Sequence, residues 1–321
     1  MAAKVLLTGA TGFVGRAVLL KLGSKVTGTV GRSKPAHFSG RHFQEEISAA
    51  ADFQAALSGV SVVVHCAARV HMMNDNSSDP LAAFREVNTF GTLNLARQAA
   101  ASGVKRFIFL SSIKVNGEST LVDKPFKYDD VAKPEDAYGI SKAEAEAGLR
   151  QIGAETGMEV VIIRPPLVYG PGVKANFAAM LKLAQKNLPL PLGGIHNKRS
   201  LVALDNLVDL IVTCIDHPNA ANQTFLVSDD KDVSTTELLK LMTRAAGKKP
   251  WLIPVPMSWL KLAGKLTGKQ AVIERLCGNL QVDITHTKQT LGWTPPVTVE
   301  EGIARCFNSG DEQLVGFADG D

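Results

Sequence analysis

The chain is predicted to be an α/β protein built on a doubly wound parallel sheet. Two patterns carry that reading. Short β-type runs alternate with helical segments through the first half, and the runs VVVHC (62–66) and FIFL (107–110) are continuously apolar. A strand covered by helices on both faces has no polar side to show, so it reads as an unbroken apolar run. Alternation of such strands with helices marks βαβ units. Composition agrees: of 321 residues, 45% are apolar and 21% charged, enough for a large core and incompatible with a disordered chain.

The elements follow in order. Candidate strands are Val5–Thr8, Lys25–Val30, Val62–Cys66, Arg106–Ser111 and Val160–Ile163, separated by helical patterns at about 13–22, 49–58, 80–102 and 135–156. After Arg164 the pattern changes. RPPLVYGPG (164–172) is too dense in Pro and Gly for a regular element. Beyond it the sequence predicts short helices, an LPLPLGG turn, one strand in QTFLVS (223–228), and helices near 234–246, 256–267 and 298–306. This divides the chain into a first unit at 1–165 and a smaller, mostly helical one at 166–312. Some elements of the second unit return to the main sheet, and an acidic tail at 313–321 is expected to be poorly ordered.

Several classes are set aside. The net charge is +4, from 35 basic and 31 acidic residues, too mild and dispersed for a nucleic-acid partner. No apolar run approaches the ~20 residues of a membrane span, and the start lacks a signal-peptide layout. Cys66, Cys214, Cys277 and Cys306 form no CxxC pair, and the seven histidines show no HExxH spacing. The expectation is a reduced, cytoplasmic protein without disulfides or metal.

The first strand runs directly into Gly9-Ala10-Thr11-Gly12-Phe13-Val14-Gly15 and then an apolar helix. Gly9 permits the tight turn, Gly12 lets backbone approach a pyrophosphate, and Gly15 lets the helix pack closely on the strand. The helix N-terminus offers N–H groups and partial positive charge to the phosphates. This is a Rossmann-type dinucleotide cradle. The second strand ends in Thr29-Val30-Gly31-Arg32-Ser33, with no acid to accept the ribose 2′-OH of NAD and an arginine suited to the 2′-phosphate of NADP. NADP(H) is therefore the favoured cofactor, with NAD(H) the other possibility. Glu46 and Ile47 follow the third strand and are candidates to meet the adenine.

Tyr138-Gly139-Ile140-Ser141-Lys142 places Tyr and Lys at i and i+4, on one helix face. A lysine beside a phenol favours the phenolate, so a lowered Tyr138 pKa and a general acid/base are expected. Ser111 and Ser112 put hydroxyls at a strand's C-terminal end, where ligands bind in open α/β sheets.

The chain resembles the extended short-chain dehydrogenase/reductases of the nucleotide-sugar epimerase/dehydratase family. The matching pieces are TGATGFVG, HCAA (65–68), VNTFGT (87–92), SSIKVNG (111–117), YGISK (138–142), RPPLVYGPG, RSLVALDNLVD (199–209) and LGWTPP (291–296), in the family's order over about 290 residues. The resemblance implies that Tyr138 is the proton donor and acceptor, that Lys142 tunes it and holds the nicotinamide ribose, and that Ser112 bonds the substrate oxygen while Ser111 is structural. It places Thr11, Phe13, Val14, Ala67, Ala68 and Pro165 at the cofactor, and makes Asn88 structural. Arg199 takes the diphosphate-binding arginine position, Asn176 begins the next helix on the substrate side, and Lys174 and Arg275 are further substrate candidates. The partner is a UDP-linked nucleotide sugar, and the family's dimers use the helices at 80–102 and 135–156.

The family's 4,6-dehydratases carry Asp-Glu directly after the catalytic hydroxyl residue. Here Ser112 is followed by Ile113-Lys114, which argues against dehydration. Arg32 favours NADPH-dependent reduction of a C4 ketone, as does Leu167, where the family's epimerases often have Asn. The resemblance is to O-antigen 4-reductases that form UDP-N-acetylquinovosamine from a UDP-4-keto-6-deoxy-HexNAc. The alternative is a UDP-hexose or UDP-HexNAc 4-epimerase with tightly bound NAD. A non-catalytic NADP sensor is the third reading, set against the presence of Ser112, Tyr138 and Lys142 together. WLIPVPMSWLKLAGKL (251–266) reads as a packed C-terminal helix rather than a membrane-surface one. His65 reads as a core or cofactor-side histidine and Cys66 as a small buried hydrophobe. His71, Met72 and Met73 are placed near a possible substrate mouth.

Overall fold

A computed structural model describes residues 3–70, 79–268 and 270–308. His71, Met72, Met73 and the tail at 313–321 lie outside the described residues. The first half contains β1 Val5–Thr8, α1 Phe13–Leu22, β2 Val26–Gly31, β3 Arg41–Gln44, α2 Gln54–Leu57, β4 Val62–His65, α3 Pro80–Phe84, a π-helical stretch Arg85–Gly91, α4 Thr92–Ala101, β5 Arg106–Leu110, α5 Ala137–Thr156 and β6 Glu159–Arg164. The second half contains β7 Leu167–Tyr169, α6 Ala175–Lys186, β8 Leu201–Ala203, α7 Leu204–Asp216, β9 Thr224–Leu226, α8 Thr235–Ala245, α9 Met257–Leu266, α10 Gln270–Cys277, α11 Thr285–Leu291 and α12 Val299–Asn308.

Seven strands form one parallel sheet in the order β3-β2-β1-β4-β5-β6-β9. The order reverses between β1 and β4, so the C-terminal ends of these two strands flank the crevice where an α/β sheet binds ligands. The apolar strands explain the layering. Val5, Leu7, Val62, Val64, Ile108, Val161 and Ile163 face one side and pack with α1 and α7. Leu6, Val63, Phe107, Phe109, Val160 and Ile162 face the other and pack with α4 and α5. Side chains alternate along each strand, so burying both sets demands helices on both faces.

The second half returns β9 to the main sheet beside β6. It also builds a third core from Tyr169, Phe177, Leu201, Leu239, Met242 and Ile303. Here two expectations fail. RPPLVYGPG is not irregular throughout: residues 167–169 form β7, paired in parallel with β8. Leu167 is exposed and Tyr169 buried although the two share a face, so this three-residue strand shows no alternation to read in a Pro/Gly-rich stretch. The helix expected at 49–58 shrinks to α2. The preceding carbonyls of Ser48 and Ala51 are taken by Asn94 Nδ2 at 3.0 and 2.8 Å, and Gln98 Nε2 also reaches Ala51 O at 2.8 Å. Side chains of α4 thus satisfy this backbone in place of a helix. The segment at 80–102 is helical but passes through the π-helical stretch.

Candidate active site

The turn after β1 is shaped by what a side chain would hit. Gly9 has φ +70°, and a Cβ there would lie 2.6 Å from the Ala67 nitrogen. A Cβ on Gly15 would lie 2.1 Å from the Gly9 carbonyl oxygen, so only glycine lets α1 approach the turn this closely. The Gly12 amide donates to Gly9 O at 2.9 Å and closes the loop. The result is a bare-backbone cradle at a helix N-terminus, which fits the pyrophosphate of a dinucleotide. Thr11 is exposed in this turn, and Phe13 and Val14 begin α1 half-buried.

Beside the cradle, Thr8 Oγ1 lies 2.7 Å from His65 Nδ1, and His65 Nε2 lies 2.9 Å from Thr92 Oγ1. The Ala67 amide donates to Thr8 Oγ1 at 3.2 Å, which fixes the chain leaving β4 against β1. His65 is fully buried, and burial brings its imidazole down to about 3, so it is a neutral core group. Ala67 and Ala68 are half-buried along this crevice, as is Cys66, whose thiol burial pushes up to about 12. Arg32 is exposed just past β2, with no ion pair among the described residues. Glu46 is exposed, whereas Ile47 is buried and fills the space over Gly91.

Asp136 caps α5 through Gly139 N at 2.7 Å and so fixes the turn that bears Tyr138. The Ser112 hydroxyl accepts from Lys114 N at 3.2 Å and starts the single turn Ile113–Val115. Lys114 Nζ then reaches Asp136 Oδ2 at 2.5 Å, tying the Ser112 turn to the start of α5. Ser112 and Tyr138 are thereby brought near one another, close enough for the serine hydroxyl to act on the phenol. Lys142 is buried; its Nζ donates to Leu110 O at 2.8 Å and sits 4.3 Å above the Phe109 ring. Burial brings its ammonium down to about 7, against the opposing influence of Cys66 and Glu146.

One electrostatic expectation is corrected. The Tyr138 phenol is not lowered but pushed up to about 12, by burial first and the nearby Asp136 charge second, with the Ser112 hydroxyl opposing both. Spacing put Lys142 on the same face, but its ammonium is engaged by the Leu110 carbonyl and the Phe109 ring.

A buried polar hub underlies these groups. Arg164 grips Glu146 with Nε to Oε1 at 2.8 Å and Nη2 to Oε2 at 2.6 Å, while Nη1 reaches Asn116 Oδ1 at 2.9 Å. Ser111 Oγ donates to Glu146 Oε1 at 2.6 Å. The hub joins the end of β5, the Ser112 turn, α5 and the end of β6. Pro165 is buried next to it, and its carbonyl accepts from Ile113 N at 3.0 Å. Sequence reading missed Glu146, Arg164, Asn116 and Asp136; the available signal was an acid four residues after Lys142 on the same face. Asn88 bridges Arg69 O and Ser141 Oγ, both at 3.0 Å, and so links the chain after β4 to α5.

In the second half of the chain, Arg199 Nη1 donates to the carbonyls of Arg275 at 2.9 Å and Gly278 at 3.2 Å. Burial, then the neighbouring Arg275 charge, lowers the Arg199 guanidinium. Two like charges held this close suit an anion with several oxygens. Lys174 and Asn176 are both exposed at the start of α6. Among the described residues no group of acids, histidines and cysteines is placed to hold a metal ion.

Residues 5–228 match the NAD dependent epimerase/dehydratase family. The chain belongs to that family. It is 56% identical over 308 residues, 94% of each chain, to a UDP-glucose 4-epimerase of Vibrio cholerae. Its fold is like that of a Bacillus cereus UDP-glucuronic acid 4-epimerase in complex with NAD, with a TM-score of 0.73 and 19% identity over 94% of this chain and 96% of that one. It is equally like a Thermotoga maritima UDP-glucose 4-epimerase with UDP-glucose, with a TM-score of 0.72 and 22% identity over 94% and 96%. The 56% relative overturns the expectation of an NADPH-dependent 4-keto reductase. The physical reason is plain. An arginine past β2 could bear only on the adenosine end of a cofactor, and the expected Ser–Tyr–Lys set would serve reduction and epimerisation alike. Neither observation distinguishes the two reactions.

Proposed function

We propose that this family member is a UDP-hexose 4-epimerase that works on a tightly held NAD. The observation that carries the reading is the 56% identity, over 94% of both chains, with the Vibrio cholerae UDP-glucose 4-epimerase. The glycine cradle supports a nicotinamide dinucleotide, because its contacts leave space only for backbone against a pyrophosphate. Epimerisation involves no net redox change, so it makes no demand on the NADPH pool, and NAD is the cofactor proposed. The unit at 1–165 would carry the dinucleotide and the one at 166–312 the nucleotide sugar. Arg199, Arg275, Lys174 and Asn176 would hold the diphosphate. A homodimer would use the helical segment at 80–102, whose π-helical stretch exposes Phe90, together with α5.

A dinucleotide held by the glycine cradle and the residues around it would supply the hydride acceptor and donor for C4 of the sugar. The chain's own residues handle the proton. Tyr138 takes it from the C4 hydroxyl and gives it back. Ser112 holds that oxygen beside the phenol. Lys142, locked on Leu110 O, supplies a buried cation on the same helix face. The hub of Glu146 and Arg164 keeps the three elements in register.

The test is incubation of purified protein with UDP-glucose, UDP-galactose and their N-acetyl forms, followed by chromatography. The reading expects interconversion at C4 without added reductant, and NAD released on denaturation. Stoichiometric NADPH consumption on a keto sugar, with no interconversion, would overturn it.

A further inference from the structure

The helix expected to pack at the C-terminal side does so along a thin line only. In α9, Leu260 and Gly264 are buried, one helical turn apart, with Gly264 against Ile273 of α10. The opposite face is apolar and open: Trp259 is 71% exposed, Leu262 59% and Leu266 78%. Their spacing of i, i+3 and i+7 makes a continuous stripe on one helix face. Trp251, 59% exposed, and Ile253 are further open apolar residues in the strap that precedes α9. An exposed apolar patch of this kind marks an interaction site, not ordinary surface.

The charge around it names the partner. From Leu238 to Ile273 the sequence holds Lys240, Arg244, Lys248, Lys249, Lys261, Lys265 and Lys269, and no Asp or Glu. Elsewhere acids and bases nearly balance, since the whole chain carries only +4. Lys261 and Lys265 are exposed on the flank of the α9 stripe. The two helices enclose an open cleft of about 360 Å³, lined by Lys261, Leu262, Lys265, Gln270, Ile273 and Glu274, the last being the first acid after the basic stretch. Among the described residues no helix is long and apolar enough to cross a membrane. Tryptophan and leucine on one face with lysines beside them is the composition of a helix lying in the headgroup region of a bilayer.

We propose that α9 and its flanking strap dock this protein on an anionic lipid surface. The stripe inserts among acyl chains, and the lysines pair with acidic headgroups. The surface lies next to the substrate side, because Arg199 bonds the C-terminal end of α10, the helix packed on α9. This inference does not depend on the epimerase reading.

The test is co-sedimentation of the full chain with vesicles of phosphatidylcholine and phosphatidylglycerol at 7:3, and with phosphatidylcholine alone, at ~0.1 M salt. The proposal expects binding to the anionic vesicles only, reversed by high salt, with a blue shift of tryptophan emission. Lys261→Glu with Lys265→Glu should weaken binding at least ~25-fold, from about fivefold per lysine near such a surface. Trp259→Ser with Leu262→Ser and Leu266→Ser should abolish the blue shift. All five positions are exposed, and thermal melts of both variants should match the parent. Equal binding to both vesicle types, no binding to either, or variants that bind like the parent would each overturn the proposal. So would a larger assembly in light scattering that the triple variant breaks while vesicles stay unbound, since that outcome assigns the face to a second copy.

Discussion

Replacing Glu146 with glutamine should destabilise the protein far more than its single-atom change suggests. The carboxylate is buried and accepts four hydrogen bonds: from Ser111 at 2.6 Å, from Arg164 at 2.8 and 2.6 Å, and from Arg150 at 3.1 Å. A glutamine amide turns one acceptor into a donor. Whichever way it flips, an N–H faces an N–H of Arg164. The guanidinium keeps Asn116 as a neutral partner but loses its counter-charge in a buried site. Breaking a buried pair from one side costs about 3–5 kcal/mol, whereas replacing both partners with apolar residues is often close to neutral. For a chain of this length that loss corresponds to a fall in Tm of roughly 4–7 °C. Urea unfolding of Glu146→Gln, and of Glu146→Leu combined with Arg164→Met, measures both. The single variant should lose about 3–5 kcal/mol and the double should recover most of it. A single variant within ~1 kcal/mol of the parent, or a double variant worse than the single, would refute the reasoning.

Three further outcomes are expected. Gly15→Ala puts a Cβ 2.1 Å from the Gly9 carbonyl, so α1 must move off the cradle; calorimetry should show dinucleotide affinity falling more than ~10-fold, and unchanged affinity would contradict the cradle assignment. Tyr138→Phe keeps the ring packed against Phe84 but removes the proton carrier, so turnover should fall ~10²–10⁴-fold with Tm nearly unchanged; a variant that retains turnover would remove Tyr138 from the chemistry. His65 stays neutral in the fold down to about 3, while the unfolded chain takes a proton near its ordinary 6.5. The unfolded state then binds more protons, so stability declines as pH falls from ~6.5 toward ~3, by up to about 1.4 kcal/mol per pH unit from this group. His65→Gln should flatten the acid limb of a urea-midpoint profile, and an unchanged limb would show that another group sets it.

What could be read from sequence was local. Val5–Thr8 and 13–22 emerge with the predicted bounds because an apolar run, a glycine turn and a helical period sit side by side in the chain. Spacing put Tyr138 and Lys142 on one helix face, and the structure has both on α5, with Ser112 just past the end of β5. The elements lost were those made by distant partners. The β7–β8 pair exists only because residues 167–169 meet 201–203, and residues 48–53 stay non-helical because Asn94 and Gln98 reach their backbone. The Tyr138 phenol went the wrong way because helical spacing gives a face and no depth; burial and the Asp136 charge push it up. Likewise the Trp251–Leu266 stretch has apolar residues on two sides, and sequence alone did not say that within α9 only Leu260 and Gly264 are buried. The reaction itself was not legible, because one Ser–Tyr–Lys set would serve both candidate chemistries.

The most direct measurement follows a deuterium label at C4 of UDP-galactose through turnover by the purified protein. An enzyme that removes hydride and returns it on one held cofactor yields UDP-glucose with the deuterium still at C4, and with no net change in absorbance at 340 nm. Loss of the label to added NADH, or product formed only as reduced cofactor is consumed, would contradict a 4-epimerase.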